Sequence, residues 1–151
     1  ASLIAASVSC GVLSTSEDPE MLKLMHQFGS DLGMAFQIKD DLMDLSEESV
    51  GKPRINDIKE KKMTLPLIIA LKNAPSQKSR QLINQIRANS EDPKVIQAAI
   101  RFILDHNGVI EASKSMMDFR DKALGSLKTL PDNEARASLE KVCYFVTERN
   151  N

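Results

Sequence analysis

Asp40, Asp41 and Asp44 stand close together in the run Phe36-Gln37-Ile38-Lys39-Asp40-Asp41-Leu42-Met43-Asp44. A helix advances about 100° per residue, which places Gln37, Asp40, Asp41 and Asp44 within an arc of roughly 100°. Like charges at such spacings oppose a helix by about 0.2–0.5 kcal/mol per pair, so the grouping calls for an explanation. Carboxylate oxygens suit a hard divalent cation, and Mg2+ is usually shared between one or two carboxylates and the phosphates of a substrate. At this point the alternative is a solvated acidic face near a helix end.

A basic segment follows: Gly51-Lys52-Pro53-Arg54-Ile55-Asn56-Asp57-Ile58-Lys59-Glu60-Lys61-Lys62, with five basic residues. Lysines close to a carboxylate seam, just before a helix N-terminus, suit a metal–phosphate ligand whose remaining charge they neutralise. Any such segment taken alone is an ordinary charged loop; its place after the acids gives it interest.

The acids need a rigid carrier. Phe28, Leu32, Ala35 and Leu42 form an apolar stripe roughly opposite them, with Met34, Ile38 and Leu45 on one flank and Phe36 and Met43 on the other. The helix reads as apolar nearly all round, apart from the seam, Asp31 and Lys39, as though its acids face an internal cavity. Lys39 fits this picture poorly unless its stem carries the charge to water. Gly29, Ser30 and Gly33 leave room on the acid-facing side for a ligand or another helix.

The spacing predicts helices over 1–13, from about Pro19 to Ser46 and from Thr64-Leu65-Pro66 through Leu71. Ser16 or Asp18 is the expected cap of the long helix, and residues 47–63 read as a polar loop. Further helices are marked by Leu82, Ile83 and Ile86; by Val95, Ala99, Phe102 and Ile103; by Ile110, Met117 and Leu124; and by Ala135, Leu139, Val142 and Val146. No stretch alternates with period two. The expected fold is all-α, an antiparallel bundle with short loops.

With 151 residues and 42% apolar side chains, the chain is one domain or part of one, with enough material for a core. A net charge of −1 excludes a strongly basic nucleic-acid binder. No run is long and apolar enough for a transmembrane segment, and Ala1–Leu13 lacks the basic start of a signal peptide. Cys10 and Cys143 have no metal or redox spacing, so reduced thiols and a cytoplasmic location are the default. The apolar start without Met reads as a helix cut in its middle, hence a fragment. His26 reads as a packed or solvated residue, and His106 as a helix C-terminal residue near the helix dipole.

The series FQIKDDLMDL, then GKPRINDIKEKKMTLPLIIAL, resembles the second aspartate-rich motif and following segment of the trans-isoprenyl diphosphate synthases, the polyprenyl synthetase family. The family pattern is FQxxDDxxD, a Gly-Lys-Pro loop with an Asp, then Lys-x-Thr-Leu-Pro-Leu-Ile. The strongest match covers residues 33–71, and Ala1–Ser7 looks like the family helix that follows a Lys-Thr pair. The resemblance implies a helical bundle of the isoprenoid synthase type, incomplete at its N-terminus, with residues 1–151 as the C-terminal part of a single polyprenyl synthetase domain.

The activity implied is the joining of an allylic diphosphate to isopentenyl diphosphate. By resemblance Asp40 and Asp44 bind Mg2+ on the allylic diphosphate, Asp41 supports the same cluster, and Asp57 sits near the metal's water shell. Gln37 faces the reacting carbons or the neighbouring shell, and Lys52 and Lys62 contact diphosphate oxygens. The chemistry suits the seam: metal and lysines stabilise charge on the departing diphosphate, and an apolar cavity keeps the allylic cation from water. Met34, Gly29, Ser30 and Gly33 are expected to shape that cavity.

The family often has Gly where Ile55 and Lys61 stand, which bears on the loop's turn geometry. Its first aspartate-rich motif and upstream basic residues have no counterpart here, so the chain alone is expected to be inactive. A homodimer is implied. The rival readings are a terpene cyclase-like lyase and a non-catalytic helical subunit of a prenyltransferase; the lysine-rich segment and Thr-Leu-Pro-Leu favour the transferase.

Overall fold

The computed structural model describes residues 1–45 and 56–149. All regular structure among them is helical: α1 (Ser2–Leu13), α2 (Pro19–Asp44), α3 (Asn56–Lys59), α4 (Leu65–Asn73), α5 (Ser76–Asn89), α6 (Pro93–Asp105), α7 (Gly108–Leu127) and α8 (Glu134–Glu148). The all-α expectation holds. The stretch expected to be loop up to residue 63 contains α3, a single helical turn followed two residues later by Lys61 with φ 59°.

The helix boundaries follow from local chemistry. Asp18 accepts the Glu20 N–H at 2.9 Å ahead of Pro19, as its expected role as a cap requires. Asp92 accepts the Lys94 N–H at 2.8 Å and Asn133 the Arg136 N–H at 2.9 Å, so α6 and α8 start on side-chain caps. Thr64 stands in an extended conformation before α4 but makes no side-chain capping bond.

The described residues form two compact units, residues 1–39 with 115–149, and residues 40–45 with 56–114. In the first, Met25, Phe28 and Leu32 of α2 pack with Ala123 and Leu127 of α7 and with Cys143 and Val146 of α8. Ile4, Val8 and Val12 of α1 lie against this core. In the second, Ile58 of α3, Leu67 and Ala70 of α4, Leu82 and Ile86 of α5, and Ile96, Ala99 and Ile103 of α6 share a core.

Two sequence readings change. The seven-residue series Ile110, Met117, Leu124 is not the buried face of α7: Ile110 is 56% and Met117 47% exposed. Ala112, Met116, Ala123 and Leu127 are buried instead, a face displaced by a few residues round the helix, where small Ala side chains permit close packing. Nor is α2 apolar all round. Phe28, Leu32, Ala35 and Ile38 are buried, whereas Lys23, His26, Gln27, Met34 and Gln37 are exposed. Lys39 is half-buried, and Asp31 is buried, accepting from Gln27 Nε2 at 3.0 Å.

Candidate functional site

Asp40, Asp41 and Asp44 occupy the last turns of α2, and all three are half-buried. Each Asp44 oxygen meets the start of α3: Oδ1 accepts the Asn56 N–H at 3.3 Å, and Oδ2 the Asp57 N–H at 3.1 Å. These are helix-start donors that have no partner within their own helix. Asp41 Oδ2 accepts the Leu65 N–H at 2.9 Å. The start of α4 is thus held by a carboxylate of α2 and not by the Thr64 side chain.

Asp57, half-buried, accepts from Lys62 Nζ at 3.1 Å, and the same ammonium lies 2.8 Å from Glu60. The acidic seam and the C-terminal part of the basic segment are therefore one connected hydrogen-bonded group: Asp44 to Asp57, Asp57 to Lys62. Gln37 is exposed one turn earlier on α2. Lys52, with Gly51, Pro53, Arg54 and Ile55, lies outside the described residues.

The electrostatics follow from this crowding. Burial raises the Asp41 carboxyl above the ordinary carboxylate value; the Leu65 N–H holds it down, and Asp57, Asp40 and Asp44 push it further up. Lys62 is held above the ordinary ammonium range, first by its hydrogen bond to Glu60 and then by Asp57. Glu60 is not singled out by the sequence; its place two residues before Lys62, directly after α3, is the available signal.

Among the described residues no group of three or more His, Cys, Asp or Glu side chains is arranged to cage a metal by itself. That donor set fits Mg2+ of the kind completed by substrate phosphate, which takes one or two carboxylates from the protein. Asp40 and Asp44 stand one helical turn apart on α2, each with carboxylate oxygens of the donor type such a cation takes.

The small residues of α2 have a packing role. A Cβ on Gly29 would stand 2.7 Å from Ala5 Cα, and one on Gly33 would strike the Ala1 backbone. The room they leave is filled by α1, so the expectation that Gly33 faces a substrate cavity is replaced by helix contact. His26 is exposed and paired with Ser9 Oγ at 3.0 Å. His106 caps α6, with Nδ1 2.9 Å from the Phe102 carbonyl. Neither joins the acidic seam.

The polyprenyl synthetase family model matches residues 1–103. The chain is 32% identical over 151 residues to solanesyl diphosphate synthase 2, chloroplastic, of Arabidopsis thaliana, covering 99% of this chain and 35% of that protein. Among solved structures, geranylgeranyl pyrophosphate synthase from Bacteroides thetaiotaomicron superposes with a TM-score of 0.88 at 31% identity, over 97% of this chain and 49% of that one. Polyprenyl synthase from Caulobacter crescentus, complexed with calcium and isoprenyl diphosphate, gives 0.84 at 27% identity, over 99% and 46%. The chain spans between about a third and a half of the length of these relatives. Its helical arrangement is that of the prenyl synthase fold, and the chain belongs to the polyprenyl synthetase family.

Proposed function

We propose that this chain carries the second acidic half of a prenyltransferase site, and that the full-length polypeptide joins an allylic diphosphate to isopentenyl diphosphate. The observation that carries the reading is the Asp44–Asp57–Lys62 connection, with Asp44 Oδ2 3.1 Å from the Asp57 N and Asp57 Oδ1 3.1 Å from Lys62 Nζ. It joins metal-type donors to a phosphate-type donor in one unit. Support comes also from the Caulobacter relative, which was solved with a divalent cation and isoprenyl diphosphate.

In this reading Asp40 and Asp44 hold Mg2+, with Asp57 beside its water shell. Mg2+, when bound, neutralises charge on the departing diphosphate. Lys62 and Lys52 donate to the phosphate oxygens, and Lys62 leaves Asp57 and Glu60 as it does so. Gln37 stands toward the reacting carbons. Bond cleavage leaves an allylic cation and free diphosphate; the double bond of isopentenyl diphosphate attacks the cation, and a proton is lost. A homodimer and a reducing, cytoplasmic setting complete the proposal; Cys10 and Cys143 are both free, and no described helix is long and apolar enough to cross a membrane. The relatives include both geranylgeranyl and solanesyl synthases.

The test supplies the full-length polypeptide with farnesyl diphosphate, labelled isopentenyl diphosphate and Mg2+, with Asp40→Ala alongside. Elongation lost in the variant supports prenyl transfer, and the product gives the chain length. Diphosphate release without incorporation of label overturns it in favour of a lyase. Neither activity overturns it in favour of a non-catalytic subunit.

A further inference from the structure

Each carbonyl of α3 has a donor, and all but one of these donors are local. The Glu60 N–H bonds the Asn56 carbonyl at 2.8 Å, the Lys61 N–H the Ile58 carbonyl at 3.0 Å, and the Lys62 N–H the Asp57 carbonyl at 2.8 Å. With Lys61 at φ 59°, the last two are the nested pair of bonds that closes a helix on a left-handed residue. That turn brings Lys62 back over Asp57, where its Nζ meets the Asp57 side chain at 3.1 Å. The Lys59 carbonyl, the last of α3, has its donor elsewhere: the Ser90 hydroxyl, at the C-terminal end of α5, donates to it at 2.7 Å. Ser90 is buried, and Lys61 Nζ reaches the Arg87 carbonyl at 3.0 Å on the same end of α5. Ile58, the buried side chain of α3, shares a core with Ile86 of α5.

We infer that Ser90 is a positioning residue for the diphosphate grip: its hydroxyl holds the Lys59–Glu60 peptide and so fixes the turn that presents Lys62. The inference rests on the prenyl-transfer reading and adds to it a residue outside the acidic seam. The Lys59 carbonyl belongs to the peptide that leads into Glu60, and a planar peptide passes its orientation on to the next Cα. The turn is thus held by α5 through Ser90, and by α2 through Asp44, whose Oδ2 accepts the Asp57 N–H at 3.1 Å. Between these holds the backbone of Lys62 is set in advance, and only its side chain is left to be ordered when a diphosphate arrives. Ser79 makes the same kind of bond elsewhere. It too is buried, and it donates to the Leu71 carbonyl in the last turn of α4 at 2.8 Å. Its acceptors, the Leu71 and Pro75 carbonyls, belong to the α4–α5 connection and not to the α3 turn.

The test compares Ser90→Ala, Ser79→Ala, Lys62→Ala and the Ser90→Ala, Lys62→Ala double variant in the full-length polypeptide. The readouts are affinity for inorganic diphosphate with Mg2+ by titration calorimetry, amide hydrogen exchange at Lys62, and the thermal midpoint. Ser90→Ala is expected to speed Lys62 exchange and to weaken diphosphate binding about threefold to tenfold, the range of one net hydrogen bond. In the Lys62→Ala background Ser90→Ala has no further effect on binding, because the group it positions is gone. Ser79→Ala lowers the thermal midpoint as Ser90→Ala does, yet leaves diphosphate binding at the wild-type value. Unchanged Lys62 exchange in Ser90→Ala, an equal loss of affinity in both backgrounds, or a loss matched by Ser79→Ala overturns the inference. Elongation of farnesyl diphosphate by the wild type is measured alongside. Its absence condemns the prenyl-transfer reading, while the diphosphate affinities and Lys62 exchange still decide whether Ser90 acts through Lys62.

Discussion

Lys62 Nζ lies 2.8 Å from Glu60 and 3.1 Å from Asp57, so the lysine proposed to grip diphosphate is held by two carboxylates of its own segment. Both Lys62 and Glu60 are more than half exposed, and water and salt screen such pairs strongly. In the proposed reading, Glu60 competes with the phosphate for the ammonium. Glu60→Gln in the full-length polypeptide is expected to lower KM for the allylic diphosphate by about twofold to fivefold at low salt, the range of an exposed ion pair, with kcat little altered and the gain vanishing at high salt. An unchanged KM at low ionic strength would mean that Glu60 does not compete.

Lys61 adopts φ 59°, the left-handed region, where the family often has Gly. Its N–H bonds the Ile58 carbonyl at 3.0 Å, and its Nζ reaches the Arg87 carbonyl at 3.0 Å. The turn geometry questioned by the sequence is thus met by a residue that strains to make it. Lys61→Gly should raise stability by up to about 1 kcal/mol, because a Cβ at positive φ is removed, less what the exposed Nζ contact contributes. Equilibrium urea unfolding measures this; a loss of stability would show the Arg87 contact to outweigh the strain.

Much of this architecture is legible in the chain itself. Asp18 before Pro19, Asp92 before Pro93 and the apolar stripe Phe28, Leu32, Ala35 mark helices because caps and 3.6-residue spacing are local properties. What escapes is whatever depends on partners distant in sequence. Thr64 looks like the cap of α4, yet Asp41, 24 residues away, takes the Leu65 N–H. Gly33 looks like room for a substrate, yet the Ala1 backbone, just ahead of α1, lies there. Ile110 and Met117 share a spacing with core residues and face outward. The acids and Lys62 stand out by type and order, while their hydrogen-bond partners emerge only from the fold.

Gly29 and Gly108 mark two places where backbones approach too closely for a side chain. A Cβ on Gly29 would stand 2.7 Å from Ala5 Cα and 3.1 Å from the Ile4 carbonyl oxygen, and one on Gly108 would strike the Pro66 carbonyl oxygen. Helix propensity alone favours Ala over Gly by about 1 kcal/mol, while forced separation of packed backbones costs about 1–3 kcal/mol. Both Gly→Ala variants should therefore lower stability, by up to about 2 kcal/mol, and Gly108→Ala should also disturb α4, which carries Pro66. Thermal unfolding is the measurement; a raised midpoint in Gly29→Ala would show that α1 withdraws freely.

Asp41 makes stability depend on pH. Burial is the largest cause of its raised carboxyl value, and Asp57, Asp40 and Asp44 add to it against the Leu65 N–H. A carboxyl raised above its unfolded value of 3.8 binds its proton more tightly in the folded state. Its contribution is therefore fully present below that value and is lost as pH rises through the folded one. In EDTA, Asp41→Asn, which cannot ionise, should gain on the wild type as pH rises from about 4 towards neutrality. A gap that opens in favour of the wild type would mean that the charged Leu65 bond outweighs burial and repulsion.

Cys143 and Cys10 offer a contrast within one chain. Cys143 is buried in the core with Phe28 and Leu127, and burial, with the Glu140 charge, pushes its thiol up to about 11. Cys10 is exposed on α1. The thiolate is the reactive species, so at pH near 8 Cys143 has both a closed environment and almost no thiolate. A maleimide or disulfide reagent should modify Cys10 in this 151-residue chain within minutes and leave Cys143 until denaturant is added. Mass spectrometry of the digested product reads the two sites separately. Equal labelling of both in the native chain would show that the α2–α7–α8 core opens on the labelling timescale.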